Sequence, residues 1–138
     1  MVICSMDFGF PDLKCYRFIQ WRLETEIEDL NAIDIGLMPL PDGEWEMGKA
    51  GFKAIQYSAV EAVPIVSCVG AGPSVAIDEQ TGFVVDNATV SWSNAIERLL
   101  DNPGLVVEMG KQGREFVKAK YSVTAQENTF LSLFTESQ

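Results

Sequence analysis

The sequence predicts an α/β protein built on a parallel sheet of about five strands with helices on both faces. Short runs of almost wholly apolar residues suit buried strands, amphipathic segments follow them, and turns with glycine or proline separate the two. The predicted strands are Val2 to Ser5, Tyr16 to Trp21, Ile33 to Leu40, Pro64 to Val69 and Gly82 to Val85. Strands that alternate with helices at this spacing favour parallel pairing, as in a Rossmann-like fold.

Helices are predicted where apolar residues recur at the spacing of one helical face. They are Glu24 to Asn31, Ala50 to Glu61, Pro73 to Asp78, Ser91 to Asp101, Pro103 to Lys120 and a last helix near Thr124. The residues expected to face inward from the first two are Leu23, Ile27, Leu30, Phe52, Ile55 and Ala59. Thr124 and Glu127 have the spacing of a capping box for the last helix. Loops are predicted at Phe8 to Leu13 and Pro41 to Lys49.

Composition and charge exclude several classes of function. The chain has 138 residues with 20 acidic and 10 basic side chains, a net charge of −10, so generic binding to nucleic acid is not expected. The sequence contains no histidine, which excludes Ser-His-Asp and Cys-His catalysis and histidine metal sites. Cys4, Cys15 and Cys68 are expected to be buried free thiols. Without a legible signal peptide or membrane-spanning stretch, the protein is expected to be cytoplasmic.

The segment from Gly48 to Tyr57 is the first candidate binding site. It follows a strand and opens a helix, so unpaired amides and the helix dipole could hold an anion there. Gly51 permits a close approach of the backbone, and Lys49, Lys53 and Gln56 are spaced to share one helical stripe. A phosphate-and-hydroxyl site fits this pattern, and a solvated basic turn with a glycine-softened helix start fits it about as well.

A second glycine-rich turn contains Gly70, Gly72 and Ser74. It follows a strand, so its amides and the Ser74 hydroxyl could face a ligand. A plain strand-to-helix turn is the favoured interpretation when this turn is taken alone.

Acidic and aromatic residues also admit two interpretations. Eight acidic and no basic residues lie between Leu23 and Gly48. The carboxylates considered for acid–base chemistry are Asp34, Glu24, Glu26 and Glu28, but solvated helix charges are the favoured interpretation. A nucleotide base or a sugar could stack on Trp21, Trp45 or Trp92, although core or rim packing is commoner.

Three segments in a fixed order carry a resemblance to a known family. They are Asp34 to Trp45, Gly48 to Tyr57 and Ala62 to Ser67. Together they resemble family 4 of the retaining, nucleotide-sugar-dependent glycosyltransferases, the group 1 enzymes with the GT-B fold. Looser matches at Phe18 to Trp21, Gly70 to Val85 and Leu99 to Tyr121 extend the resemblance over nearly the whole chain. The family moves a sugar from a nucleoside diphosphate to an acceptor with retention of configuration.

The resemblance implies a donor site at the start of the helix after Gly48. In the family the loop amides hold the diphosphate and the second of two helix glutamates binds the ribose; here Gly48 and Gln56 stand at the two glutamate positions. The implied donor-binding residues are Lys49, Gly51, Phe52, Lys53 and Gln56. No catalytic residue is assigned, and no metal or cofactor is expected beside the nucleotide sugar. The acceptor, a glycan, a lipid or a small molecule, is left open.

The resemblance also implies that the chain is part of a longer enzyme. Residues 1–121 would form a partial nucleotide-sugar-binding domain and residues 122–138 a C-terminal helix. The family's first strand and helix and its acceptor half have no counterpart here, so the chain alone is expected to be inactive. The alternative is a non-catalytic α/β interaction module or receiver-type module. Uridine or guanosine diphosphate should stabilise a glycosyltransferase and leave such a module unchanged.

Overall fold

A computed structural model describes residues 2–4 and 16–135, which contain five strands. β1 (Val2–Cys4) pairs in parallel with β2 (Phe18–Gln20). A second parallel sheet contains β3 (Ile35–Met38), β4 (Val63–Ser67) and β5 (Phe83–Val85), in the order β3-β4-β5. The α/β class and the parallel pairing are confirmed, but the described strands form two sheets instead of the single five-stranded sheet that the sequence predicted.

The carboxyl ends of the three-stranded sheet are tied together by a buried hydroxyl. β3 ends at Met38 because the next residue, a proline, has no amide hydrogen for a neighbouring strand. The amide of Leu40 donates to Ser67 Oγ at 2.7 Å, and Ser67 Oγ donates to Asn87 Oδ1 at 3.1 Å. These bonds fix the loops after all three strands at the edge where ligands bind in such sheets.

The helices account for most of the remaining described residues. They are α1 (Glu26–Asn31), α2 (Glu44–Met47), α3 (Phe52–Ala59), α4 (Gly72–Val75), α5 (Thr89–Leu100), α6 (Pro103–Tyr121) and α7 (Val123–Thr135). The prediction of a loop at residues 41–49 is wrong where α2 forms, and the predicted loop at residues 8–13 lies outside the described residues. The capping-box prediction is also wrong, because Ala125 N donates to Ser122 Oγ at 3.1 Å and so Ser122 caps α7.

Two apolar clusters pack on opposite faces of the three-stranded sheet. The first contains Met38, Ala54, Val66, Val75, Ala76 and Val117. The second contains Val63, Ile65, Phe83, Ala95, Leu99 and Met109. In β4, Val63 and Ile65 belong to the second cluster and Val66 to the first, because alternate residues of a strand point to opposite faces. Helices therefore cover both faces of this sheet, which confirms the layered arrangement that the sequence predicted.

Several residues predicted to face inward are exposed. In α3 the inward face belongs to Ala54 and Ser58, which are fully buried. Phe52 is 63% exposed, because it precedes Ala54 by two residues and so lies about 200° away around the helix. The inward predictions for Phe52 and Ala59 are therefore wrong. The further exposed residues, against expectation, are Leu23, Ile27 and the thiol residue Cys68.

Small residues let α3 and α6 approach each other closely. A Cβ atom at Gly110 of α6 would overlap the backbone carbonyl oxygen of Glu61, just after α3. A Cβ at Gly113 would lie 3.3 Å from the Thr81 carbonyl oxygen and 3.4 Å from Ser58 Oγ. α6 thus holds the far end of α3 in place, while the start of α3 faces the carboxyl edge of the sheet.

Candidate functional site

The start of α3 carries backbone amides that could bind a ligand. Gly51 caps the helix with a φ of 70°, a left-handed conformation that favours glycine. The amides of Ala54 and Ile55 already donate to the Gly51 carbonyl. Within the described residues, no hydrogen-bond acceptor is found for the amides of Gly51, Phe52 and Lys53. These donors, together with the positive end of the helix dipole, favour an anion at this point.

The two glycine-rich turns that the sequence indicated separately form one structural unit. Ala71 N donates to the Lys49 carbonyl oxygen at 3.0 Å. A Cβ atom at Gly51 would lie 3.2 Å from the Ala71 carbonyl oxygen and 3.4 Å from the amide nitrogen of Gly72. The close backbone approach at Gly51 is therefore made by the second turn. This contact holds the start of α3 against the loop that follows β4.

The second turn uses its hydroxyl internally. Gly70 has a φ of 63°, and a Cβ atom there would lie 2.7 Å from the Glu46 carbonyl oxygen. Ser74 Oγ donates to the Ala71 carbonyl oxygen at 2.7 Å, and the Tyr121 hydroxyl donates to the Ser74 carbonyl oxygen at 3.0 Å. The described contacts of Gly70 and Ser74 therefore shape and anchor the turn. The Gly72 amide remains beside the start of α3.

Lys49 lies outside α3, so the prediction that it shares a helical stripe with Lys53 and Gln56 is wrong. Its Nζ atom lies 5.6 Å from the centre of the Trp45 ring, a cation–π contact. Trp45 is 78% exposed on α2, and a shallow recess lies between Glu44, Trp45, Gly48 and Lys49. The Lys49 cation therefore lies at the rim of the loop that leads into α3.

Lys53 and Gln56 meet a carboxylate from α1. Gln56 Nε2 donates to Glu26 Oε1 at 3.1 Å, and Lys53 Nζ lies 3.7 Å from the same oxygen. Trp21 Nε1 also donates to Glu26 Oε1, at 3.1 Å. The side chain of Glu26 is 20% exposed, whereas that of Lys53 is 51% exposed. Four side chains from two parts of the chain thus converge beside the first turns of α3.

These contacts keep the Glu26 carboxylate ionised. The hydrogen bond from Trp21 lowers the pKa of Glu26 most, followed by the bond from Gln56 and the charge of Lys53. A carboxyl whose pKa is lowered by folding stabilises the protein above the usual glutamate pKa, and this contribution is lost as the pH falls through the lowered pKa. The Glu26 carboxylate itself is therefore negatively charged at neutral pH, with Lys53 Nζ 3.7 Å from its Oε1 atom.

Glu26 does not fit the interpretation of the clustered carboxylates as solvated helix charges. Glu24 and Glu28 are exposed, as solvated helix charges should be, but Glu26 is partly buried and paired. Local patterning did not distinguish it, because two of its three partners, Lys53 and Gln56, lie about thirty residues away. The acidic run before Gly48, followed by two lysines, was the available signal for such a pairing.

The remaining candidates lie elsewhere in the fold. Asp34 is exposed at the amino end of β3, away from the carboxyl edge. Trp92 packs against the apolar cluster on the α5 face of the sheet. Within residues 2–4 and 16–135, no group of three or more His, Cys, Asp or Glu residues could hold a metal ion. In the same part of the chain, no helix is both long and apolar enough to cross a membrane.

Comparison with curated proteins gives one partial sequence match. The human alpha-1,3/1,6-mannosyltransferase ALG2 is 38% identical over 63 residues, which is 45% of this chain and 15% of that protein. No protein-family model matches the chain. The sequence similarity therefore concerns a small part of a longer glycosyltransferase.

Solved structures extend the similarity to most of the chain. A sucrose-phosphate synthase from Thermosynechococcus elongatus superposes with a TM-score of 0.68 and 27% identity, over 88% of this chain and 31% of that chain. The C-terminal domain of a group 1 glycosyl transferase, LpcC from Francisella tularensis, superposes with a TM-score of 0.62 and 20% identity, over 77% of this chain and 53% of that chain. The chain spans less than two thirds of each. As its sequence motifs predicted, the chain is similar to the C-terminal part of group 1 glycosyltransferases with the GT-B fold.

Proposed function

We propose that this chain is the donor-binding part of a glycosyltransferase that moves a sugar, a hexose, from a nucleoside diphosphate to an acceptor with retention of configuration. The observation that carries the proposal is the group of amides at the start of α3, at the carboxyl edge of a parallel sheet, for which the described part of the chain supplies no acceptor. The similarity to group 1 glycosyltransferases supports it. In the full-length enzyme a further part would bind the acceptor, so this chain alone would not catalyse transfer.

The diphosphate is proposed to lie against the amides of Gly51 and Phe52. Lys53 is the second residue of α3, so its side chain begins beside these amides, and about half of it is exposed. Lys49 can supply a second cation if its side chain leaves the Trp45 ring. A charge-assisted hydrogen bond to phosphate contributes roughly 1.5–3 kcal/mol. The two amides and the lysines would therefore contribute substantially to the affinity for the diphosphate.

The chemical contribution of these groups is electrostatic. Departure of the nucleoside diphosphate places negative charge on the phosphate oxygens, and amides already oriented towards them stabilise that charge without rearrangement. Binding also favours the reaction by holding donor and acceptor in one orientation. We assign no residue of this chain to a covalent step.

Substitution of Lys53 tests the proposed site. In the full-length protein, Lys53→Ala is expected to raise the dissociation constant for uridine or guanosine diphosphate roughly tenfold, equivalent to about 1.4 kcal/mol, because one cation beside the diphosphate is lost. Isothermal titration calorimetry measures the change. The matched control is Lys118→Ala, which removes an exposed lysine from the last turn of α6.

The control variant should bind the nucleotide like the wild type. Both variants should melt close to the wild-type temperature, because both lysines are exposed and the ion pair of an exposed lysine contributes little to stability. An unchanged dissociation constant for Lys53→Ala would show that this lysine faces only Glu26 and solvent. Failure of both nucleotides to bind or stabilise the wild-type protein would favour a non-catalytic α/β module instead.

A further inference from the structure

We propose that the Glu26 carboxylate, through Oε2, accepts a hydrogen bond from the ribose 2′-hydroxyl of the donor nucleotide, and that Gln56 positions Glu26 without touching the ribose. The proposal rests on the function proposed above. It transfers the ribose contact from α3, where the sequence resemblance placed it, to a carboxylate on α1.

The hydrogen bonds to Glu26 are distributed unequally between its two oxygens. Trp21 Nε1, Gln56 Nε2 and Lys53 Nζ all approach Oε1. No described residue bonds to Oε2, and one fifth of the Glu26 side chain is exposed. An ionised carboxylate oxygen is a strong acceptor for a hydroxyl. Glu26 is therefore a carboxylate whose orientation is fixed through one oxygen while the other remains available.

Gln56 is poorly placed for the same contact. Its Nε2 atom already donates to Glu26, and reversing the amide would place its oxygen against the carboxylate. Its own Oε1 atom is buried and has no hydrogen-bond partner among the described residues. A ribose hydroxyl cannot reach that buried oxygen unless the side chain leaves Glu26. The glutamine is therefore suited to hold the carboxylate and not to replace it.

Glu26 lies beside the part of α3 where the ribose of a bound nucleoside diphosphate is expected. Gln56 follows Gly51 by five residues, which corresponds to about 7.5 Å along a helix. A ligand with its phosphates at the first amides of α3 would therefore place its ribose beside the middle of the helix, where Glu26 lies. Lys53 stands between these two points, 3.7 Å from Glu26 Oε1. Its charge reduces the repulsion between the carboxylate and the diphosphate.

Deoxynucleotides separate the two possible ribose contacts. The affinities of UDP, GDP and their 2′-deoxy analogues are measured by calorimetry with the full-length protein. We expect the wild type to bind the better ribonucleotide about tenfold more tightly than its deoxy analogue. Glu26→Gln should reduce that preference to less than about threefold. Gln56→Ala should reduce the preference less than Glu26→Gln does, because it loosens Glu26 without removing its carboxylate, and it should leave the affinity for the deoxy analogue near that of the wild type.

The matched control is Glu24→Gln, which removes an exposed carboxylate from the same segment and should change neither affinity nor preference. A preference that survives Glu26→Gln but disappears in Gln56→Ala would overturn the proposal and return the ribose contact to α3. A wild type that binds the nucleotides without any preference would overturn it as well, while the proposed diphosphate site stands. No binding of either nucleotide by the wild type would overturn both.

Discussion

Replacing Gly110 by alanine is expected to lower the free energy of unfolding by about 3 kcal/mol, the upper end of the usual cost of overpacking. The new methyl group would overlap the Glu61 carbonyl oxygen. The methyl carbon is attached directly to the backbone of α6 and the carbonyl oxygen belongs to the backbone at Glu61, so no side-chain rotation can relieve the overlap. Relief requires α6 to move from the end of α3, which opens the packing around Ser58.

Urea unfolding followed by circular dichroism measures this loss. The matched control is Gly104→Ala at the start of the same helix, where a Cβ atom would have no neighbour within 4 Å. Alanine favours helix formation over glycine by up to about 1 kcal/mol, so this variant should be at least as stable as the wild type. Equal stability of the two alanine variants would show that α3 and α6 are not in close backbone contact.

Replacing Gly51 by alanine is expected to impair both stability and ligand binding. Alanine in the left-handed conformation at φ 70° costs roughly 1–2 kcal/mol. The added methyl group would also press on the Ala71 carbonyl at 3.2 Å. The start of α3 would shift from the second turn, and the amides proposed to bind phosphate would shift with it. The dissociation constant for the nucleoside diphosphate should therefore rise at least about tenfold.

The control for this variant is Gly48→Ala. Gly48 has a φ of −82°, and a Cβ atom there would meet its nearest neighbour at 3.5 Å, so alanine is tolerated. Urea unfolding and calorimetric titration of both variants separate the two effects. If Gly51→Ala unfolds at a lower urea concentration yet binds UDP and GDP like the wild type, the start of α3 is a structural turn and not a phosphate site.

Strand positions were predictable from the sequence because each buried strand is a short apolar run. β4 is the clearest case, since all five of its residues are buried and a turn with Gly70 and Gly72 closes the run. The division into two sheets was not predictable, because pairing between strands depends on contacts that are distant in sequence. The inward face of α3 was mispredicted for a local reason. Its buried residues are Ala54 and Ser58, which hydrophobicity alone does not single out.

The candidate site was predictable only in part. Glycines followed by lysines at the start of a helix indicated an anion site, and the structure places both glycine-rich turns together. The pairing of Glu26 with Gln56 crosses thirty residues and has no local periodicity. A carboxylate in an acidic run also resembles its solvated neighbours. The sequence could therefore locate the phosphate end of the proposed site but not the Glu26 carboxylate beside the middle of α3.

The most direct test follows the backbone amides themselves. The full-length protein, labelled with ¹⁵N at glycine and phenylalanine, is titrated with UDP and GDP and observed by NMR. If the donor diphosphate binds at the start of α3, the amide signals of Gly51 and Phe52 should shift most as the ligand saturates, and the signal of Gly104 should not move. Saturable binding that leaves Gly51 and Phe52 unshifted would contradict the proposed site.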